Sequence, residues 1–220
     1  MPRAADALRD NDARLAELLR SLTDSQWAQP SLCTEWTNHD VLAHLIVGYS
    51  ATLSSIATAT LRRRGSFDRA NADMARTLAA QRDPQALVDD FIALTQQARG
   101  VGRVFPRRLL LGDHVIHELD ITYALGTDST IPAAVVAAVL DTEVRIPNPF
   151  VPAAVRARGL NLIATDTTWS HRHRGGPTVT GKAAFLASVL AGRPWALRHL
   201  TGNGVAVLAS RLQPFEGAQS

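Results

Sequence analysis

Cysteine is nearly absent: Cys33 is the only one in 220 residues. No internal disulfide can form, and a cluster of several thiolates around a metal is excluded. Lysine is equally scarce, with Lys182 alone among 23 basic residues. The formal charge of +3 therefore rests on arginines, which are scattered among acids except for the run Arg62, Arg63 and Arg64. That distribution predicts no nucleic-acid partner, and the triplet reads as a solvated face or loop. Long apolar runs are missing too, so no segment is expected to span a bilayer. The opening MPRAADALRDNDARL is charged where a secretory signal needs an apolar centre, and a cytoplasmic protein with no membrane partner is expected.

What is present is ordinary globular material, 46% hydrophobic with a mean hydropathy of -0.02. The length suits one good core, or a medium domain with a small companion. Leu8, Leu15, Leu18, Leu19 and Leu22 recur at helical spacing and predict an amphipathic helix over residues 5–22. Pro30 then carries the chain across the bundle end, where Trp27 and Trp36 are expected to act as core plugs and Cys33 as a structural residue. Thr37 and Asp40 have the form of a capping box, so a second helix starts near Asn38 and holds His44 on its second turn. Leu61 to Arg82 is polar and reads as a crossing loop with a short exposed helix, a candidate lid.

Asp83 and Pro84 begin a third helix that Gly100 and Gly102 close, and Phe105 with Pro106 opens a fourth that Gly126 caps. A fifth helix is expected from Ile131 to Arg145, and the prolines of PNPFVP at 147–152 mark a boundary. Beyond it, the alternation of Leu160, Leu162 and Ala164 predicts a strand, HRHRGGP a turn and Thr178 to Thr180 a second short strand. KAAFLASVL follows as a helix, while the period of LTGNGVAVLASRL leaves strand and helix open. The expected fold is mainly α: a four-helix bundle over residues 1–147, then a small α+β domain over 152–213.

The chemistry concentrates in GDHVIHELDITYALG, from Gly112 to Gly126. Asp113 and His117 are four apart on one helical face, with Cβ atoms about 6 Å from each other. That spacing lets a helix offer a metal two ligands, and His44 on the second helix is the leading third. A single histidine on an apolar helix is more often a satisfied core residue, so His44 gains weight only through this pairing. Three such donors leave a divalent ion with a vacant position where chemistry can occur. His114, three before His117, competes with Asp113 for the ligand role. Asp120 either orients an imidazole or pairs with an arginine. His171 and His173 read as a solvated turn.

Five stretches, in order along nearly the whole chain, resemble the mycothiol-dependent maleylpyruvate isomerase family. They are Trp36-Thr-x-x-Asp-Val-x-x-His44, His117-x-x-Asp120 with its Ala-Leu-Gly ending, ATDTTWS, VTGKAAFLASVLAGRP and LTGNGVAVLASRL. The resemblance implies a DinB-like metal-binding bundle followed by a small C-terminal domain. It also implies a divalent metal, zinc in the first instance, on His44, Asp113 and His117, with mycothiol or a similar thiol as cofactor. Asp113 stands where the family has a glutamate, one methylene longer, which puts retention of the metal in question. Arg193, in LAGRPW, occupies the place from which the family presents an arginine towards the metal. The implied activity is isomerisation or S-transfer on a small, acidic, unsaturated substrate, by a monomer or homodimer. The alternative is a non-catalytic member that binds a metal or ligand.

Overall fold

The computed structural model describes residues 3–146 and 151–212. Their contacts divide into two units, Met1–Asp128 and Ser129–Ser220. The first unit runs through α1 (Ala4–Arg20), the short α2 (Asp24–Trp27), α3 (Asn38–Ser50), α4 (Leu53–Arg62), α5 (Phe67–Gln81), α6 (Pro84–Gln96) and α7 (Arg107–Ala124). The four-helix bundle is α1, α3, α6 and α7: α1 packs on α6 and α7, and α3 packs on α6 and α7. Its core is the expected set of stripes, with Leu15, Leu19, Leu42, Leu45, Leu87, Phe91 and Leu119 fully buried. Each such side chain stabilises the fold by roughly 1.5–3 kcal/mol through loss of apolar surface from water.

Local chemistry sets the helix ends. Thr37 Oγ1 accepts the Asp40 backbone N–H at 3.2 Å, and Asp40 Oδ2 accepts the Thr37 N–H at 2.9 Å, closing the capping box that starts α3. Asp83 caps α6 through the Gln85 N–H, with Pro84 in the first turn. At the end of α7, Thr127 N–H reaches Thr122 O and Gly126 N–H reaches Tyr123 O, with Gly126 at φ 71°, a Schellman closure that favours glycine. The 3₁₀ turn Gly100–Arg103 packs on the end of α3, where a Cβ on Gly102 would stand 2.7 Å from the Tyr49 carbonyl oxygen.

The segment from Leu61 to Arg82 departs from the expected loop and exposed helix. It is the end of α4, a tight turn and the full length of α5, and α5 packs on both α3 and α4. The buried face of α5 is Ala70, Ala75 and Ala79, a stripe of small residues that looks polar in a hydropathy reading. Between α4 and α5 lies a groove of about 820 Å³ that begins at Val47, one turn along α3 from His44.

The second unit holds α8 (Ala133–Arg145), α9 (Ala153–Ala157), β1 (Asn161–Ala164), β2 (Ser170–His171), β3 (Thr178–Gly181), α10 (Ala183–Leu190) and α11 (Val205–Ser210). The sheet order is β2-β1-β3, with β1 antiparallel to β2 and parallel to β3, Leu162 facing Val179. Leu160, Leu162 and Ala164 are buried, as their alternation predicts. The open tail is helical, as α11. Within the HRHR turn, His171 instead joins β2. The boundary also moves. α8, expected with the bundle, packs on α9 and α10 in the second unit, and the division falls at Asp128/Ser129. Positions 147–150 of the PNPFVP run lie outside the described residues.

Candidate metal centre

α3 and α7 pack against each other in the bundle, and each turns donors into the space between them. His44 Nε2 stands 3.4 Å from both carboxylate oxygens of Asp113. His117 Nε2 stands 3.6 Å from Asp113 Oδ1. One ligating atom from each of the three residues lies within 4.8 Å of the other two. Around a tetrahedral ion with bonds of about 2.0–2.2 Å, ligand atoms sit roughly 3.3–3.6 Å apart, so the two carboxylate–imidazole separations suit a zinc-sized ion. The two imidazoles are nearly enclosed, with side chains 12% and 9% exposed, while that of Asp113 is 36% exposed and faces the approach.

The group beside His117 leaves the right lone pair for a metal. His117 Nδ1 lies 3.1 Å from Asp120 Oδ2, buried at 1% exposure. Donation from Nδ1–H to that carboxylate leaves Nε2 unprotonated and aimed at Asp113. Asp120 therefore takes the orienting role rather than an exposed ion pair. His44 Nδ1 lies 3.1 Å from the Asn71 side-chain amide. The partner atom is the amide Nδ2, which donates to Nδ1 and leaves the ring proton on Nε2 towards Asp113; a metal on Nε2 requires this amide to turn its oxygen to Nδ1. Trp36 walls the site, its ring 4.9 Å from that of His44 and 5.9 Å from that of His117.

Charge agrees with this arrangement. Burial by itself pushes the Asp113 carboxyl up, but the nearby imidazoles of His44, His117 and His114 more than offset it and hold it well below the usual carboxylate range. Burial pushes His117 down, against the opposing pull of Asp120 and Asp113, which favours the neutral imidazole that a metal needs.

His114, the rival to Asp113, points elsewhere. It is fully buried, with Nδ1 2.6 Å from Asp12 Oδ1, and Asp12 Oδ2 accepts the Tyr49 hydroxyl at 2.5 Å. It belongs to the α1–α7 core and takes no part in the metal cluster. Arg193 lies in the second unit. Its Nη1 donates to the Ala191 carbonyl at 2.9 Å, and its charge acts on Glu143 together with that of Arg156. Burial of Glu143 outweighs both arginines and pushes its carboxyl up to about 8.

Three residues of the site were not assigned to it from the sequence. Trp36 was read as core alone. Asn71 sits on a segment read as exposed. Cys33, read as a structural link residue, lies with His117 and Asp120 in a second group whose ligating atoms are within 4.8 Å of one another.

A mainly helical bundle that turns two histidines and a carboxylate toward one point, followed by a small α+β unit, defines a candidate metal-binding bundle protein. Residues 8–108 match the family model of the mycothiol maleylpyruvate isomerase N-terminal domain. Among solved structures, the mycothiol-dependent maleylpyruvate isomerase and a histidine-to-alanine mutant of it each align with 92% of this chain and 93% of their own, at 17% identity and a TM-score of 0.60. That likeness extends the shared fold across both units. No curated protein matches the chain. Among the described residues, no helix is long and apolar enough to cross a membrane.

Proposed function

We propose that the protein is a metal-dependent enzyme that uses a low-molecular-weight thiol of the mycothiol type to isomerise, or to transfer the thiol onto, a small unsaturated acid. The observation that supports this reading is the convergence of His44 Nε2, His117 Nε2 and the Asp113 carboxylate at spacings that suit a tetrahedral divalent ion. Zinc held by these three would supply Lewis acidity and keep a coordinated thiol deprotonated near neutral pH. The chain's own residues prepare that position. Asp120 accepts the Nδ1 proton of His117, and the Asn71 amide bonds Nδ1 of His44, so both rings keep one orientation. Trp36 excludes water from the imidazole side. The exposed edge of Asp113 leaves one direction open for thiol and substrate. Arg193 is the residue assigned to the substrate carboxylate, because a guanidinium gives it two parallel hydrogen bonds.

The test is calorimetric binding of the thiol to zinc-loaded protein, followed by turnover of unsaturated and halogenated acids. Thiol-dependent turnover is expected, abolished in His44→Ala and with a raised KM in Arg193→Gln. Failure of the wild type to hold one equivalent of zinc would leave a non-catalytic member of the fold. Turnover indifferent to added thiol would replace the reading with metal-assisted hydrolysis.

A further inference from the structure

His117 presents its two ring nitrogens to two different groups. Nε2 faces Asp113 and His44, as described. Nδ1 faces Asp120, and Cys33 brings a thiol within 4.8 Å of both the imidazole and that carboxylate. We propose that Cys33, His117 Nδ1 and Asp120 form a second cation site, selective for a thiophilic ion such as Cd²⁺, Cu⁺ or excess Zn²⁺, and sharing its central imidazole with the first.

The donor set fits that ion class. Sulfur, nitrogen and carboxylate oxygen are all zinc and cadmium ligands, and the thiolate biases the site away from magnesium and calcium, which take oxygen. The backbone also holds Cys33 in place independently of any metal. Leu32 N–H donates to the Asp120 carbonyl oxygen at 3.2 Å, which pins the link to α7 beside the very residue that supplies the carboxylate. Trp36 N–H donates to Cys33 O at 3.1 Å, and Ser31 Oγ accepts the Cys33 N–H at 3.1 Å while donating to Trp36 O at 3.0 Å. Glu35, the third residue of the Cys33–Trp36 turn, sits at φ 67°, and Arg76 from α5 donates to its carbonyl and its carboxylate. A non-glycine residue at positive φ costs energy unless its surroundings hold it there. The turn is thus fixed from both sides, with its thiol beside His117.

Sharing the imidazole sets the consequence. A cation on Nδ1 takes the place of its proton, which leaves to solvent, so a ring holding cations on both nitrogens is an imidazolate and is no longer held by the hydrogen bond to Asp120. Filling the second site therefore weakens the orientation of His117 at the first, and a thiophilic ion acts as an inhibitor as well as a ligand.

The experiment is a Cd²⁺ titration of the full chain after zinc has been loaded, read by the ultraviolet thiolate-to-cadmium band and by metal stoichiometry. The wild type is expected to take up a further equivalent with the band, and Cys33 is expected to be protected from iodoacetamide by at least about tenfold as the site saturates. Cys33→Ser is expected to lose the band and the added equivalent while keeping the first zinc. His44→Ala, which breaks only the first site, is expected to keep the band and the protection. Asp120→Asn is expected to weaken both sites. A wild-type protein that shows no thiolate band, a Cys33→Ser variant that takes up the same two equivalents, or alkylation unaffected by cadmium would each overturn the proposal. Failure of the wild type to hold the first zinc before any cadmium is added would instead count against the function proposed above, and the His44→Ala arm keeps the two failures apart.

Discussion

Asp113 and His114 are neighbours on α7, yet they serve two clusters with the same ingredients and opposite designs. On the core side, His114 meets Asp12 from α1 and, through it, the Tyr49 hydroxyl from α3, with Phe91 and Tyr49 packed on the ring. His114 is 0% exposed and Asp12 is 2%. On the other side, Asp113 meets two imidazoles at distances too long for good hydrogen bonds, and its carboxylate remains partly exposed. In one cluster the carboxylate closes on its partners, although His114 Nε2 is buried without a hydrogen-bond partner. The other is spaced for something at its centre. Aspartate and histidine residues become structural or ligating according to whether their partners close on each other or on a common point.

Swapping the losses between the two clusters should give the largest effects. His117→Ala is expected to abolish stoichiometric zinc while leaving thermal unfolding of the metal-free protein close to wild type, because its ring borders the centre rather than the middle of the core. Asp12→Ala should do the reverse. It strands a buried imidazole and the Tyr49 hydroxyl, at a cost of about 3–5 kcal/mol, which a denaturant titration reads directly. If Asp12→Ala removed the metal without destabilising the fold, the division between the clusters would be wrong.

A change in the support rather than the ligand should be smaller. Asp120→Asn keeps the shape but no longer favours a proton on His117 Nδ1, and zinc affinity is expected to fall about 10–100-fold in competition with a chelator. The same substitution should leave the Asp12–His114 pair intact, so the fold should stay within about 1 kcal/mol of wild type once metal is removed.

The two histidines should also answer pH in opposite senses. Burial on its own would lower the pKa of His114, but the charge and hydrogen bond of Asp12 override it and raise the pKa. Stability from that pair is fully present below the unfolded value of about 6.5 and is lost as pH rises through the folded value. For His117, burial lowers the folded pKa, so the metal-free protein loses stability as pH falls from about 6.5 towards that value. Thermal unfolding of the apo form should therefore fall off on both sides of an optimum near neutrality. Asp12→Asn should remove the alkaline limb, and His117→Ala should soften the acid one.

The sequence made the bundle legible because its signals are periodic and local. Leucine stripes, the Thr37–Asp40 box, the Asp83–Pro84 start and the Gly126 stop each act within one or two turns, and each stands where it was expected. The spacing of Asp113 and His117 was readable for the same reason. Asn11 and Asp12 were not: they interrupt the α1 stripe with polar side chains, and only their partners on α7 and α3 explain why they are buried. α5 was missed because alanine buries without a hydropathy signal, and with it went Asn71. The unit boundary was displaced because α8 is amphipathic in either setting, and its period does not say which core receives it.

Cys33 depended on something less visible still, a turn with Glu35 in the left-handed region. That turn supports the last and smallest prediction. Glu35→Gly relieves about 1–2 kcal/mol of backbone strain, but it adds about 0.5–1 kcal/mol of chain entropy to the unfolded state and removes an exposed ion pair with Arg76 worth at most about 1 kcal/mol. The contributions nearly cancel, so the melting temperature should move by no more than about 2–4 °C and the cadmium–thiolate band should persist. Glu35→Val gains none of the relief, loses the same pair and forces a β-branched residue to positive φ, so both the melting temperature and the band should fall. A Glu35→Val variant that kept the band at full strength would show that this turn does not hold the thiol against His117, and that the second group forms by side-chain adjustment alone.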